Sequence, residues 1–99
     1  MIHMLVSFKV KEDSIEAAKA AITEFVTEVK KNEKGTILYS SYNAKGDETN
    51  FFHVMTFTGD AAEQIHKSSP YVKTFVQKLY PLCEIEPQFT RLNPVASIK

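Results

Sequence analysis

The stretch Asn50 to Thr58 is apolar on both of its sides. In extended backbone, successive side chains alternate between faces, so Phe51, Met55 and Phe57 point one way while Phe52 and Val54 point the other. A strand of this kind needs cover over both faces, because an open apolar face in water is larger than a monomer ordinarily tolerates. The rest of the chain supplies its sheet neighbours. Ile2 to Val10 alternates Ile2, Met4, Val6, Phe8 and Val10 against His3, Leu5, Ser7 and Lys9, the pattern of a half-buried strand. Thr36 to Tyr42 is rich in β-branched and aromatic residues, and Ala44-Lys45-Gly46-Asp47-Glu48 between it and Asn50 is turn-forming, so the two strands form a hairpin. Cys83 to Leu92 is a fourth strand, with Cys83, Ile85, Pro87 and Phe89 alternating against Glu84, Glu86, Gln88 and Thr90. Pro87 has no N–H for a ladder, which predicts an edge position or a bulge.

Between these strands the period changes. Ile15, Ala18, Ile22, Phe25 and Val29 recur at spacings of three and four and predict a helix from about Ser14 to Lys31, opened by an Asp13–Glu16 capping box. Lys30, Lys31 and Lys34 suit the negative end of its dipole, and Gly35 is expected to give the backbone freedom to leave it. Asp60 with Glu63 repeats the capping pattern before a short helix carrying Ala62, Ile65 and His66. Ser68-Ser69-Pro70 interrupts it, Val72, Phe75, Val76 and Leu79 line a second helical piece, and Pro81 ends that. The order βαββαβ defines an α+β domain with a four-stranded antiparallel sheet and helices on one face. The helices leave the second face of the Asn50–Thr58 strand open. A second copy packed sheet against sheet is the expected cover, with the seven residues Asn93 to Lys99 as the alternative.

With 99 residues there is room for a single domain over residues 1–99 and one core. Lys plus Arg and Asp plus Glu number 12 each, so no basic stripe exists to neutralise phosphates, and nucleic acid is not an expected partner. No apolar run approaches the roughly 20 residues that span a bilayer. Cys83 is the only cysteine and no basic-then-apolar leader opens the chain, which predicts a soluble protein in the reducing cytoplasm. His3, His53 and His66 have no metal-ligand spacing, and Gly35, Gly46 and Gly59 are too scattered to form a phosphate cradle. Neither a metal nor a nucleotide cofactor is expected.

Glu33-Lys34-Gly35 before a strand, the strand end Phe57-Thr58-Gly59-Asp60-Ala61-Ala62, and above all His66-Lys67-Ser68-Ser69-Pro70-Tyr71 together resemble the antibiotic biosynthesis monooxygenase family over nearly the whole chain. The resemblance implies ferredoxin-like protomers paired into a dimeric α/β barrel. It also implies oxidation of quinols or polycyclic phenols by molecular oxygen without metal or flavin. Met55 and Phe57 stand where similar members carry a glutamate and, two residues on, a tryptophan. The haem-degrading branch needs a tryptophan, and this chain has none.

His66 lies on the same side of its helix as Ala62, near the helix–sheet interface, where an imidazole titrating near neutrality can take a phenolic proton. A helix-end histidine satisfied by a backbone carbonyl is the competing role. His53 shares a strand face with Phe51, Met55 and Phe57, and is expected either in the same pocket or paired across a dimer sheet. Phe25, Tyr71, Phe75, Tyr80, Phe57 and Phe89 would line a cavity for a flat aromatic ligand, or serve simply as core. Cys83 has no base nearby in sequence and reads as packing, and Glu84 with Glu86 as a solvated strand face. The reading is a homodimeric, cofactor-independent monooxygenase for a small aromatic or quinol-type substrate. His66 would be its base or hydrogen-bond donor, and Tyr71, Phe75, Phe57, His53 and Phe25 would bind the substrate. A barrel that binds a small hydrophobic metabolite without turnover, or an isomerase or lyase, are the alternatives.

Overall fold

The computed structural model describes all residues from Met1 to Lys99. Strand β1 (Ile2–Val10) leads through a turn of 3-10 helix to α1 (Ile15–Asn32). The hairpin β2 (Thr36–Ala44) and β3 (Asp47–Phe57) follows, then α2 (Asp60–Ser68), α3 (Pro70–Leu79) and β4 (Cys83–Leu92). The strands form one antiparallel sheet in the order β2-β3-β1-β4. This is the expected α+β, ferredoxin-like βαββαβ arrangement, with the second crossing made by two short helices. No helix is long and apolar enough to cross a membrane.

The alternation in β1 becomes burial: Met4, Val6, Phe8 and Val10 face the helices, as do Phe51, Met55 and Phe57 of β3. From α1 the stripe Ala18, Ala21, Ile22, Phe25 and Val29 packs down on them. Each fully buried Phe or Leu in such a layer contributes about 1.5–3 kcal/mol. The hairpin is longer than its turn chemistry predicts, because both strands continue to Lys45-Gly46. Asp47 pairs with Ala44 beyond a register shift after Asn43, and its carboxylate accepts bonds there from the backbone N–H and hydroxyl of Thr49 and from Asn50 Nδ2.

Several local expectations are corrected. Neither capping box forms: Ser14 Oγ donates to Asp13 Oδ1, and no side chain caps the start of α1 or α2. Glu63 turns inward instead and takes Arg91 from β4 at 2.8 Å. Gly35 has no positive φ, so its role is steric. A Cβ there would lie 2.5 Å from Ala62 Cβ and 3.1 Å from Thr58 Oγ1, so only glycine lets the start of β2 pass this close to α2. Pro87 is both on an edge strand and in a bulge, since Gln88 pairs with Ser7 while Ile85 pairs with Lys9. That extra residue breaks the alternation read across β4. Ile85 joins Lys9 on the face away from the helices and is 53% exposed.

The tail Asn93–Lys99 is extended into solvent and covers nothing, with Val95 97% exposed. On the sheet face away from the helices, Leu38, Tyr42, Phe52 and Leu92 are exposed, with Leu5 and Val54 half-buried between them. The sheet register sets Tyr42 and Ser7 on either side of Phe52, and Leu5 and Ser40 on either side of Val54, so the apolar strip is continuous across three strands.

Candidate functional site

Helices α2 and α3 do not close fully onto the sheet. Between them and β1, β3 and β4 lies a cavity of about 240 Å³ lined by 18 residues, 13 of them hydrophobic. Met4, Val6 and Phe8 of β1, His53, Met55 and Phe57 of β3, and Val72, Phe75, Val76 and Leu79 of α3 form its walls. Pro87 and Phe89 of the edge strand form a rim, where Phe89 is 64% exposed. Bulky apolar walls of this kind suit a flat hydrophobic ligand and leave its orientation to the few polar groups present. Those groups are His66, His53, Glu63 and Lys67, with the phenols of Tyr39 and Tyr80.

His66 is placed by the last turn of α2, just before Ser69 breaks the helix by turning its N–H and hydroxyl back onto the His66 carbonyl. Its Nδ1 lies 2.9 Å and 3.2 Å from the two carboxylate oxygens of Glu33, which follows the end of α1. Glu33 is only 6% exposed. Its carboxylate also accepts from Thr36 Oγ1 at 2.6 Å and from the Tyr71 hydroxyl, so the buried charge is matched by three donors. A carboxylate on Nδ1 requires a proton there, which leaves Nε2 of a neutral His66 as a bare lone pair. An imidazole so oriented accepts a proton at Nε2, and the carboxylate stabilises the imidazolium that results.

A second histidine is organised differently. His53 is 1% exposed, and its Nδ1 lies 2.8 Å from the Tyr39 hydroxyl of β2. Phe8 meets its ring edge-on at 5.2 Å and Phe75 lies nearly parallel at 6.2 Å. Burial among these rings lowers its pKa to about 4, so the ring is neutral at neutral pH. Burial and the Glu33 charge together hold the Tyr39 phenol protonated far above its usual range. The two imidazoles flank one ring: Tyr39 lies 5.5 Å from His53 and 5.7 Å from His66, centre to centre.

Of the residues singled out from sequence, His66, His53, Phe25, Phe57 and Phe75 all line this cavity, together with Tyr80 and Phe89. His53 belongs to the helix side, which corrects the expectation of pairing across an outer sheet face. Tyr71 is not in the lining. It faces a separate recess with Glu28 and Lys78, and meets the site through its bond to Glu33 and its ring contact with Phe25, 6.2 Å centre to centre. Burial, and then that bond, push its pKa up to about 12. The Cys83 thiol is also pushed up by burial and approaches the Leu79 carbonyl at 3.5 Å, in keeping with packing. Sequence reasoning missed Glu33 as the partner of His66, Tyr39 as the partner of His53, and buried Glu63. No group of three or more His, Cys, Asp or Glu side chains is arranged to hold a metal ion.

Fold and site together define a ferredoxin-like domain with a histidine-bearing apolar cavity. The model of the antibiotic biosynthesis monooxygenase family matches residues 1–78, and the chain belongs to that family. Among solved structures, an antibiotic biosynthesis monooxygenase superposes with a TM-score of 0.88 at 16% identity, covering 97% of this chain and 100% of that one. A Caulobacter crescentus protein provisionally assigned the same activity gives 0.89 at 20% identity, covering 96% and 90% of the two chains. The Mycobacterium tuberculosis protein Rv0793 gives 0.87 at 17% identity, covering 99% and 98%. Likeness at this identity establishes the fold. No curated protein matches the chain by sequence.

Proposed function

We propose that the protein is a cofactor-independent monooxygenase acting on a small aromatic or quinol-type substrate held in the cavity, with His66 as its base. The observation that carries this reading is the bond from His66 Nδ1 to buried Glu33 at 2.9 Å, which leaves the other ring nitrogen free to act as a base on a residue that lines a largely apolar chamber. Family membership supports the reaction class. His66 takes the proton of a phenol or of an activated ring C–H, and the resulting electron-rich anion gives an electron to dioxygen. For an activated CH2, one oxygen atom ends in the new carbonyl and the other in water. Substrate carbon supplies both hydrogens and all the electrons, so no external reductant is needed. Phe25, Phe57, Phe75 and His53 hold the ring system, and Tyr71 positions Glu33. A second copy of the chain covers the apolar outer face of the sheet and makes the dimeric barrel.

Oxygen uptake by the metal-free protein against a panel of quinols and polycyclic phenols tests the reading. His66→Ala and Glu33→Gln are measured alongside, with folded fraction checked for each. Uptake that falls by two orders of magnitude or more in His66→Ala supports it. Tight binding of a panel member without uptake identifies a binding domain instead, and conversion without oxygen identifies an isomerase or lyase.

A further inference from the structure

The donor and acceptor sense of His53 follows from its neighbour. A phenol always carries a hydrogen to donate until it ionises, and Tyr39, held protonated by burial and by Glu33, has one hydrogen-bond partner, His53 Nδ1 at 2.8 Å. Tyr39 therefore donates and Nδ1 accepts. A neutral imidazole has a single N–H, so the hydrogen sits on Nε2.

That Nε2 is the only buried side-chain nitrogen or oxygen in the protein without a hydrogen-bond partner. A buried unpaired donor costs about 1–3 kcal/mol, and native proteins retain such groups where they serve a purpose. Against the imidazole ring stand Phe8, edge-on at 5.2 Å, and Phe75, nearly parallel at 6.2 Å, centre to centre. Ring faces satisfy an N–H only weakly. The residue lines the same chamber as His66.

We propose that His53 Nε2–H is a hydrogen-bond donor built into the cavity wall for an acceptor oxygen of the ligand, with Tyr39 fixing the tautomer. The two imidazoles then present opposite polarities to one chamber: His66 Nε2 accepts, because Glu33 occupies its Nδ1–H, and His53 Nε2 donates. The complementary ligand is an aromatic ketone that also carries a hydroxyl or an acidic C–H. An analogue that lacks the carbonyl leaves the donor unpaired, and sites of that kind discriminate strongly. This rests on the reading of the cavity as the ligand site, and not on oxidation taking place there.

The test uses two probes of nearly equal shape, 1-acetylnaphthalene and 1-ethylnaphthalene, which differ by one carbonyl oxygen. Their affinities for the wild type, His53→Phe and His53→Gln are measured by fluorescence titration, and the tautomer of wild-type His53 is read by nitrogen-15 NMR. Expected are a protonated Nε2 and a ketone-to-hydrocarbon affinity ratio that falls about tenfold in His53→Phe. His53→Gln retains an amide donor and keeps most of the preference. A proton on Nδ1, or the same ratio in wild type and His53→Phe, overturns the inference alone. Binding of neither probe by the wild type overturns the cavity as the ligand site, and the inference with it. If His53→Phe does not fold, the wild-type tautomer and the His53→Gln ratio decide.

Discussion

His66 Nδ1 and Glu33 Oε1 are 2.9 Å apart, although the two residues come from different helix ends 33 positions apart in the chain. The pair exists because Gly35 lets β2 pass against α2, bringing the end of α1 beneath the last turn of α2. Glu33→Gln keeps the shape but removes the charge that fixes the Nδ1–H tautomer and stabilises imidazolium. Turnover is expected to fall at least about 100-fold, towards the roughly 10⁴-fold loss that follows when the carboxylate orienting a histidine base becomes an amide. Glu33→Ala goes further, leaving the donors of His66, Thr36 and Tyr71 unpaired, and is expected to cost roughly 3 kcal/mol of stability. Steady-state kinetics with denaturant unfolding checks both. Unchanged kcat in a folded Glu33→Gln protein would sink the positioning role.

His66→Ala cannot be a purely catalytic lesion, because it strips a partner from a carboxylate that is 6% exposed. A loss of about 1–3 kcal/mol is expected together with the loss of turnover. Tyr71→Phe provides the contrast: it removes a donor to the same carboxylate at a residue that does not line the cavity. It should cost similar stability while leaving substrate KM nearly unchanged. A KM raised tenfold or more in Tyr71→Phe would instead make Tyr71 a direct ligand contact.

His53 makes stability depend on pH. Its pKa is lowered by burial to about 4 in the fold, against 6.5 for the free side chain. Between those values the unfolded chain binds a proton that the folded chain refuses, so stability rises with pH and is lost on acidification. The contribution is fully present above the unfolded value, and its loss approaches the order of 3 kcal/mol near the folded value. Asp47, held below its usual range by Thr49, acts in the same direction at lower pH. Tyr39, and His66 with Glu33, flank the ring and remain in the variant His53→Phe, so the comparison isolates His53. Urea unfolding from pH 7 to 4.5 should give a shallower slope for His53→Phe than for the wild type. Equal slopes would show that His53 does not stay neutral in the fold.

Gly35→Ala places a Cβ 2.5 Å from that of Ala62, a distance that real side chains do not tolerate, so one backbone must retreat. Overpacking of this kind costs about 1–3 kcal/mol. Ala62→Gly removes the opposing methyl at roughly 1 kcal/mol of helix propensity. The double variant should therefore lose less than the sum of the single losses, as thermal unfolding of all four proteins would read. Strict additivity would mean that the two positions are not in contact.

The periods of two and near four in the sequence were enough for the element order, because burial enforces them residue by residue: every inward position read in β1 and β3 is buried or half-buried. The bulge in β4 was legible only as an alternative, since Pro87 signals an edge or a bulge and here marks both, and the resulting flip of Ile85 follows from pairing partners 76 positions away. His66 and the aromatic wall were readable because they fall on periodic faces. Glu33 was not, since an acidic residue beside Lys34 after a helix reads as solvated, and its three donors are fixed only by tertiary structure. Tyr71 was misplaced by one position. It precedes the stripe Val72, Phe75, Val76, Leu79 and so falls off the cavity side of α3.

The apolar outer face makes the last prediction. Tyr42 and Phe52 are directly opposite each other in the register and are 60% and 37% exposed, with Leu38 and Leu92 exposed beside them. The C-terminal tail does not reach this face, and the apolar strip crosses three strands, so a second sheet of the same kind is the cover proposed for it. A stable pairing buries about 800 Å² on each partner. Light scattering on the wild type should therefore give the mass of two chains. Phe52→Lys combined with Tyr42→Lys should give one, because each buried lysine would lack a partner. The helix-facing core is untouched by these changes, so the secondary structure of the monomeric variant is retained. If the cavity lies within one protomer, as its lining implies, the monomer also keeps ligand affinity within a few-fold of the wild type. A wild type that scatters as one chain would remove the dimer from the proposed reading. A monomeric variant that has lost ligand binding would mean that the partner closes the rim at Phe89.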